Sequence, residues 1–249
     1  MSRWRASLIH LGISTLIAAL VVSAMLLVWY PSPFFSAMGG THLVTILVCV
    51  DVVLGPMITL IIFGPGKTLK ALRFDFAVIG LVQLSALAYG VYVVAEARPV
   101  YMVFTVDRFD LVAANQIREE ELAKVKRPEF AAIPLGSPRT VAVTSPTDAN
   151  EQLRIIDSAL GGADLQTFPQ YYVPYEQLAQ QAAKKAKPLA ALRKQVPDAS
   201  AEIDRAVAKA GKAESELAYL PVKGRARVYS VVLDAKSGAI LGFAEVNPW

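Results

Sequence analysis

The sequence predicts an α-helical membrane bundle of three transmembrane helices (residues 1–97) followed by a small α+β periplasmic domain (residues 98–249). Two observations carry this. Residues Leu8 to Tyr30, Leu43 to Phe63 and Phe76 to Ala95 are apolar runs, each close to the roughly 20 residues a helix needs to cross a bilayer, and Asp51 is the one acid well inside any of them. From Arg98 onward the chain is of mixed polarity: of its 25 bases and 21 acids, all but five and three lie there. A chain of 249 residues that is 54% apolar, with a mean hydropathy of +0.42, is too hydrophobic for an ordinary soluble protein.

The few charges of the first part orient it. Arg3 and Arg5 precede the first run and Lys67, Lys70 and Arg73 follow the second, whereas Pro31 to His42 carries no Lys or Arg. The positive-inside rule then puts the N-terminus and second loop in the cytoplasm, and the first loop and the tail outside. Trp29, Tyr30, Phe34 and Phe35 fit an interfacial aromatic belt. The first run exceeds the 7–15 apolar residues usual in a cleaved signal, so it reads as a span. The sole cysteine, Cys49, lies in the second span and is expected to be a small buried side chain.

Span two carries the unusual residues Asp51, Gly55 and Pro56. Pro56 cannot donate to the carbonyl of Val52 and should kink the helix, and Gly55 lets another helix approach the freed backbone. Asp51, one turn earlier on the same face, should point at protein, because a carboxylate near mid-membrane costs ~2.5–3.5 kcal/mol on insertion scales. At 1.5 Å per residue it lies at about the depth of Ser85 to Tyr89. Gln83, Ser85 and Tyr89 are therefore its expected hydrogen-bond partners. The small pairs Ser14/Ala18, Ala19/Ser23 and Ala86/Gly90 permit close helix contact.

In the tail, Pro99 to Val106 reads as a strand rich in branched and aromatic residues. Asn115 to Val125 reads as a helix, and Thr140 to Thr144 as a strand. Asp148 with Glu151 caps a helix that ends at Gly161-Gly162. Pro188 and Pro197 divide Pro174 to Lys212 into about three short helices, whose lysines and arginines read as a solvated face. Arg225 to Leu233 and Ala239 to Val246 flank Asp234-Ala-Lys-Ser-Gly238, a hairpin signature.

Several kinds of chemistry are excluded. The tail is nearly neutral and shows no nucleic-acid footprint. Gly64-Pro-Gly-Lys-Thr68 lacks the first glycine of a phosphate-binding loop, Ile61 standing there, and reads as a tight cytoplasmic turn. His10 and His42 fall at opposite membrane faces and cannot share a metal. With no His or Cys in the tail, no Ser-His-Asp or Cys-His site can form there. Asp75 lies on the order of 15–20 Å in depth from Asp51 at 1.5 Å per residue, too far for an aspartyl dyad. No catalytic residue, metal site or cofactor is expected.

Trp29-Tyr-Pro-Ser-Pro-Phe-Phe35, Val50-Asp-Val-Val-Leu-Gly-Pro-Met-Ile-Thr-Leu60, the Gly-Pro-Gly-Lys loop, and Tyr89-Gly-Val-Tyr-Val-Val through Arg98-Pro-Val-Tyr to Val106-Asp-Arg-Phe109 resemble the type IV pilin accessory proteins of the TfpX/TfpZ kind. The likeness is close to about Val112 and weaker beyond. It implies a multi-pass protein of a bacterial inner membrane that is not an enzyme. Its implied partners are the type IV major pilin, the lipid bilayer and other inner-membrane pilus-assembly proteins. It brings no ligand site to carry over. The expectation is a chaperone that contacts pilin helix and head, using Asp51, Gly55, Pro56, Gln83, Ser85 and Tyr89 in the membrane, with Arg98, Asp107 and Arg108 coupling the bundle to the outer domain. Two other readings are an enzyme modifying pilin or a lipid-linked glycan, and a membrane sensor with a periplasmic ligand domain.

Overall fold

The computed structural model describes residues 3–62 and 67–249; the turn expected at Gly64 to Gly66 falls outside them. The chain divides into two compact units, Met1–Val28 with Gly40–Glu96, and Trp29–Gly39 with Ala97–Trp249. In chain order the first helices are α1 (Arg3–Val28), the short α2 (Phe34–Ala37), α3 (Gly40–Val48), α4 (Gly55–Ile62) and α5 (Leu69–Ala97). A π-helical turn, Cys49–Leu54, joins α3 to α4.

In the first unit, three helices are long and apolar enough to cross a membrane: Arg3–Val28, Gly40–Ile62 and Lys70–Ala97. Large apolar side chains such as Leu16, Leu20, Leu81 and Leu84 stand exposed on them, a surface that water disfavours and lipid does not. Cys49 is exposed there too, so the expected burial is not found. The kink expected at Pro56 takes the form of the π turn. A proline's missing N–H leaves a carbonyl one turn earlier unpaired, and a widened turn that restarts at Gly55 absorbs the mismatch. On α1, Ser14 and Ala18 are buried with Ala6 and Met25, whereas Ala19 and Ser23 face outward.

The second unit is built on one mixed sheet. Its strands are β1 (Pro99–Phe104), β2 (Phe109–Ala113), β3 (Arg139–Val143), β4 (Tyr172–Pro174), β5 (Lys187–Pro188), β6 (Leu217–Lys223), β7 (Val228–Asp234) and β8 (Ile240–Ala244). The order is β4-β3-β1-β2-β6-β7-β8, with β5 also on β6. β1 runs parallel to β3, and β2 to β6; the other pairs are antiparallel. Every residue of β1 and β2 is buried, as expected of strands covered on both faces. One core gathers Val100, Tyr101, Val103, Phe130, Val141 and Tyr172. A second gathers Leu189, Leu192, Ile203, Leu217, Tyr219 and Val232.

The helices of this unit are α6 (Glu119–Leu122), α7 (Ala149–Leu160), α8 (Ala179–Lys185), α9 (Leu189–Gln195) and α10 (Ser200–Ala210). Asp148 caps α7 by accepting from Glu151 N at 3.0 Å, and Ala163 N closes its far end on Ser158 O, with Gly162 at φ +86°. The helix expected over Asn115 to Val125 shortens to α6. A 3-10 turn, Ala114–Gln116, precedes it, and the chain is extended at Ile117, whose side chain is drawn into the first core. The closing hairpin β7–β8 turns on Asp234: its Oδ1 accepts from Lys236 N and Ser237 N, and Gly238 takes φ +74°.

The aromatic side chains of Trp29–Gly39 pack against the rest of the second unit. Tyr30 is 1% exposed, Trp29 Nε1 donates to Leu135 O, and Phe34 stacks edge-on against Phe243 at 5.5 Å. Tyr229 donates its hydroxyl to Ser36 Oγ at 2.7 Å. The tip of the β6–β7 hairpin closes over the segment: Ala226 N and Arg227 N both donate to Ala37 O, at 2.9 and 3.2 Å.

Candidate functional site

Asp51 is the buried acid of the first unit. It sits in the π turn and is 6% exposed. Its Oδ2 has no hydrogen-bond partner among the described residues. Around it the helices are tied by a few polar contacts. Ser7 Oγ donates to Pro56 O at 2.9 Å, the carbonyl just past the π turn. His10 Nδ1 lies 2.5 Å from Thr59 Oγ1, so this histidine serves helix packing. On the other side Gln83 Nε2 donates to the backbone carbonyl of Asp51 at 3.5 Å. A side chain at Gly55 would overlap that same Gln83 amide, and a Cβ at Gly90 would meet Leu47 Cδ1 at 3.4 Å. Gly55 therefore admits α5, as its place beside Pro56 suggests.

Between α1 and α5 these contacts leave a groove of about 320 Å³. Ile9, Ile13 and Ile17 form one wall and Ile79, Leu84 and Leu87 the other, with Asp51, Gln83, His10 and Ser14 among the lining residues. A buried polar oxygen without a partner costs ~1–3 kcal/mol. The groove is thus apolar along its walls, with one unmet acceptor.

The structure brings Asp51, Gly55, Pro56 and Gln83 together but not the rest. Ser85 and Tyr89 are exposed on the outer face of α5, Tyr89 at 69%, so neither supplies the expected hydrogen bond to Asp51. Depth alone placed them beside it; Gln83, Leu87 and Gly90 occupy the inward face instead. Arg98, Asp107 and Arg108 also separate. Arg98 is buried at the start of β1, donating to Pro134 O at 3.0 Å beneath the Trp29 ring. Asp107 is exposed in the β1–β2 turn, and Arg108 Nε donates to both oxygens of buried Asp110 at 3.2 and 3.1 Å. They stand at opposite ends of the β1–β2 hairpin. Burial raises the Asp110 pKa, and Arg108, Lys223 and Thr105 offset part of that.

A second polar cluster escaped the sequence reading. Glu121, 3% exposed, accepts from Arg154 Nη1 at 2.9 Å, Lys124 Nζ at 3.0 Å and Gln170 Nε2 at 2.5 Å. Arg154 also bonds Glu151 and lies 5.1 Å over the Phe168 ring. Burial works to raise the Glu121 pKa, but these bonds outweigh it and hold the carboxyl below its ordinary value. The cluster pins α6 and α7 to one another. In sequence Glu121 is one of three consecutive glutamates, and nothing local marks it as the buried one. Among the described residues no three His, Cys, Asp or Glu gather as a metal centre requires.

Three helices of bilayer length and a separate mixed-sheet unit define a membrane-associated protein with a folded domain outside its apolar helices. The chain belongs to the fimbrial assembly protein family. It is 34% identical to the fimbrial assembly protein of serogroup I of Dichelobacter nodosus over 228 residues, 91% of this chain and 88% of that one. It is 32% identical to the serogroup E1 protein of the same organism over the same shares. With the protein of serogroups C1 and C2 it shares 39% identity over 114 residues, 46% of this chain and 87% of that one. Residues 1–39 match the family described as fimbrial assembly protein FimB. No solved structure matches.

Proposed function

We propose that the protein is a non-enzymatic accessory of type IV pilus assembly, resident in the bacterial inner membrane. In this reading its three helices cross the bilayer with the N-terminus cytoplasmic and the second unit periplasmic, and the groove between α1 and α5 receives the apolar anchor helix of a pilin subunit. Family membership supports the process, and the distribution of Lys and Arg supports the orientation. The observation that carries the mechanism is the unpartnered Oδ2 of Asp51 beside a groove with largely apolar walls. An incoming helix with one donor at that depth satisfies it once the buried Asp51 carboxyl turns toward the groove, while its apolar side chains fill the walls. In the same reading Asp107 and Arg108, at the turn of the β1–β2 hairpin, contact the pilin head.

Interhelical hydrogen bonds in membranes are worth about 1–2 kcal/mol in model peptides, so losing this one should weaken pilin retention by roughly 5–30-fold. Asp51→Leu should cut pilin co-purification by that factor and abolish pilus promotion while the protein stays inserted at normal abundance, and Asp51→Asn should be milder. Intact piliation in Asp51→Leu would refute the groove mechanism. Loss of the protein from the membrane would assign Asp51 a purely structural role.

A further inference from the structure

The tip of the β6–β7 hairpin carries Lys223, Arg225 and Arg227, all exposed around an open pocket of about 450 Å³. One carboxylate, Glu245, and Asn247 share its rim. Among the described residues neither arginine forms an ion pair. Lys223 pairs in register with Asp110, which Arg108 already engages.

Chain connectivity bounds how far this tip lies from the ends of two apolar helices. Its backbone is bonded to Ala37 O through Ala226 N and Arg227 N, and Ala37 is three residues before Gly40, where the second apolar helix begins. Three residues span at most ~10 Å. On the other flank Arg225 is near enough to Tyr30 to offset part of the rise that burial imposes on that hydroxyl, whose pKa reaches about 12. Tyr30 is two residues past Val28, where the first helix ends. A bilayer's headgroup zone is roughly 5–8 Å deep on each side of the hydrocarbon, and in the membrane-spanning reading both helix ends border it, which puts that zone within reach of the tip. The backbone does the anchoring, which leaves the guanidinium groups free to meet ligands.

We propose that Arg225 and Arg227, with Lys223, form a binding site for the phosphate headgroups of anionic phospholipids in the leaflet facing the second unit. The proposal rests on the membrane-spanning reading above. Guanidinium pairs phosphate oxygens in a two-point fork, and a cluster with three bases to one acid offers these groups more charge than Glu245 neutralises. Lipid is favoured over an acidic protein because two short stretches of chain join the site to the ends of two apolar helices.

The test uses the full-length protein in neutral detergent, with lipid association read by native mass spectrometry. Phosphatidylglycerol should bind more tightly than phosphatidylcholine. Each base near a membrane surface contributes about fivefold in affinity, so the Arg225→Gln/Arg227→Gln double variant should bind phosphatidylglycerol about 25-fold more weakly. Arg205→Gln, an exposed change on α10, should leave binding unchanged. Equal binding of the two lipids by the wild type, or wild-type affinity in the double variant, would overturn the proposal. Displacement of phosphatidylglycerol by soluble glycerol phosphate would mark a free-phosphate site and overturn it as well. So would a double variant that keeps its lipid but loses a co-purifying pilus protein. Both forms should resist carbonate extraction from membranes; extraction of the wild type would defeat the spanning reading and the lipid assignment with it.

Discussion

Gly224→Ala is the most direct probe of how the segment after α1 is held. Gly224 precedes the hairpin tip, and a Cβ there would overlap Ala37 O while lying 2.8 Å from both Ala37 C and Arg227 O. Ordinary contact begins at 3.4 Å, and the crowding atoms are backbone. The conflict cannot be relieved by a rotamer, so the hairpin tip and the Trp29–Gly39 segment must separate. Separation removes the bonds from Ala226 N and Arg227 N to Ala37 O and strains the Gly224 N to Arg227 O closure at 3.0 Å. At ~1 kcal/mol net per bond the loss is about 2–3 kcal/mol. For a unit of this size that lowers the melting temperature by roughly 5–10 °C. The assay is thermal unfolding of the full-length protein in detergent, with hydrogen exchange at the Ala226 and Arg227 amides as the local readout. Gly136→Ala is the control, because nothing lies within 4 Å of a Cβ at that position. An unchanged melting temperature together with unchanged protection of both amides would refute the reasoning.

Two further outcomes are expected. Glu121 has a lowered pKa in the fold, so it stabilises the domain above its unfolded value near 4.3, and this contribution is lost as pH falls through the folded value. Arg154→Met should cost about 2 kcal/mol at pH 7 and flatten that acid limb in pH-dependent melting; the loss falls short of the ~3–5 kcal/mol of a fully broken buried pair because Lys124 and Gln170 remain. A wild-type acid limb in Arg154→Met would count against this account. For topology, reporter fusions at Gly66 and after Asp110 should give cytoplasmic and periplasmic signals respectively, and the opposite pair would reverse the assignment.

The sequence exposes features that depend on local pattern. Three apolar runs of bilayer length, the Asp148 cap, the Asp234–Gly238 turn and the proline-divided helices all follow from spacing and propensity, and the structure contains them. Strands that depend on distant partners were less visible. β6 contains Pro221, which argues against a strand. It is tolerated because β5 pairs with Ala218 and Tyr219 and β2 with Val222 and Lys223, so Leu220 and Pro221 fall in the gap between them. β4, at three residues, is too short to announce itself, and β2 carries no turn signal of its own after Arg108. Their places come from lying beside β1 and β3.

The two ends of the candidate machinery illustrate the same division. Asp51, Gly55 and Pro56 declare themselves because a carboxylate, a glycine and a proline inside an apolar run each oppose the local rule, and such exceptions persist where other contacts sustain them. Gln83 is one of the three side chains that depth names as partners of Asp51, and it reaches the backbone carbonyl of that residue. Choosing it over Ser85 and Tyr89 required the rotation of α5, which depth alone does not supply. Arg225 and Arg227 offered no such exception. In sequence they are two bases at the start of a predicted strand, and they acquire meaning only when the hairpin tip closes on Ala37. That closure depends on Gly224, whose lack of a side chain admits a carbonyl from nearly two hundred residues earlier in the chain. The pairing is thus set by tertiary structure while its tolerance is set by one residue, which is why a single methyl group at position 224 tests it.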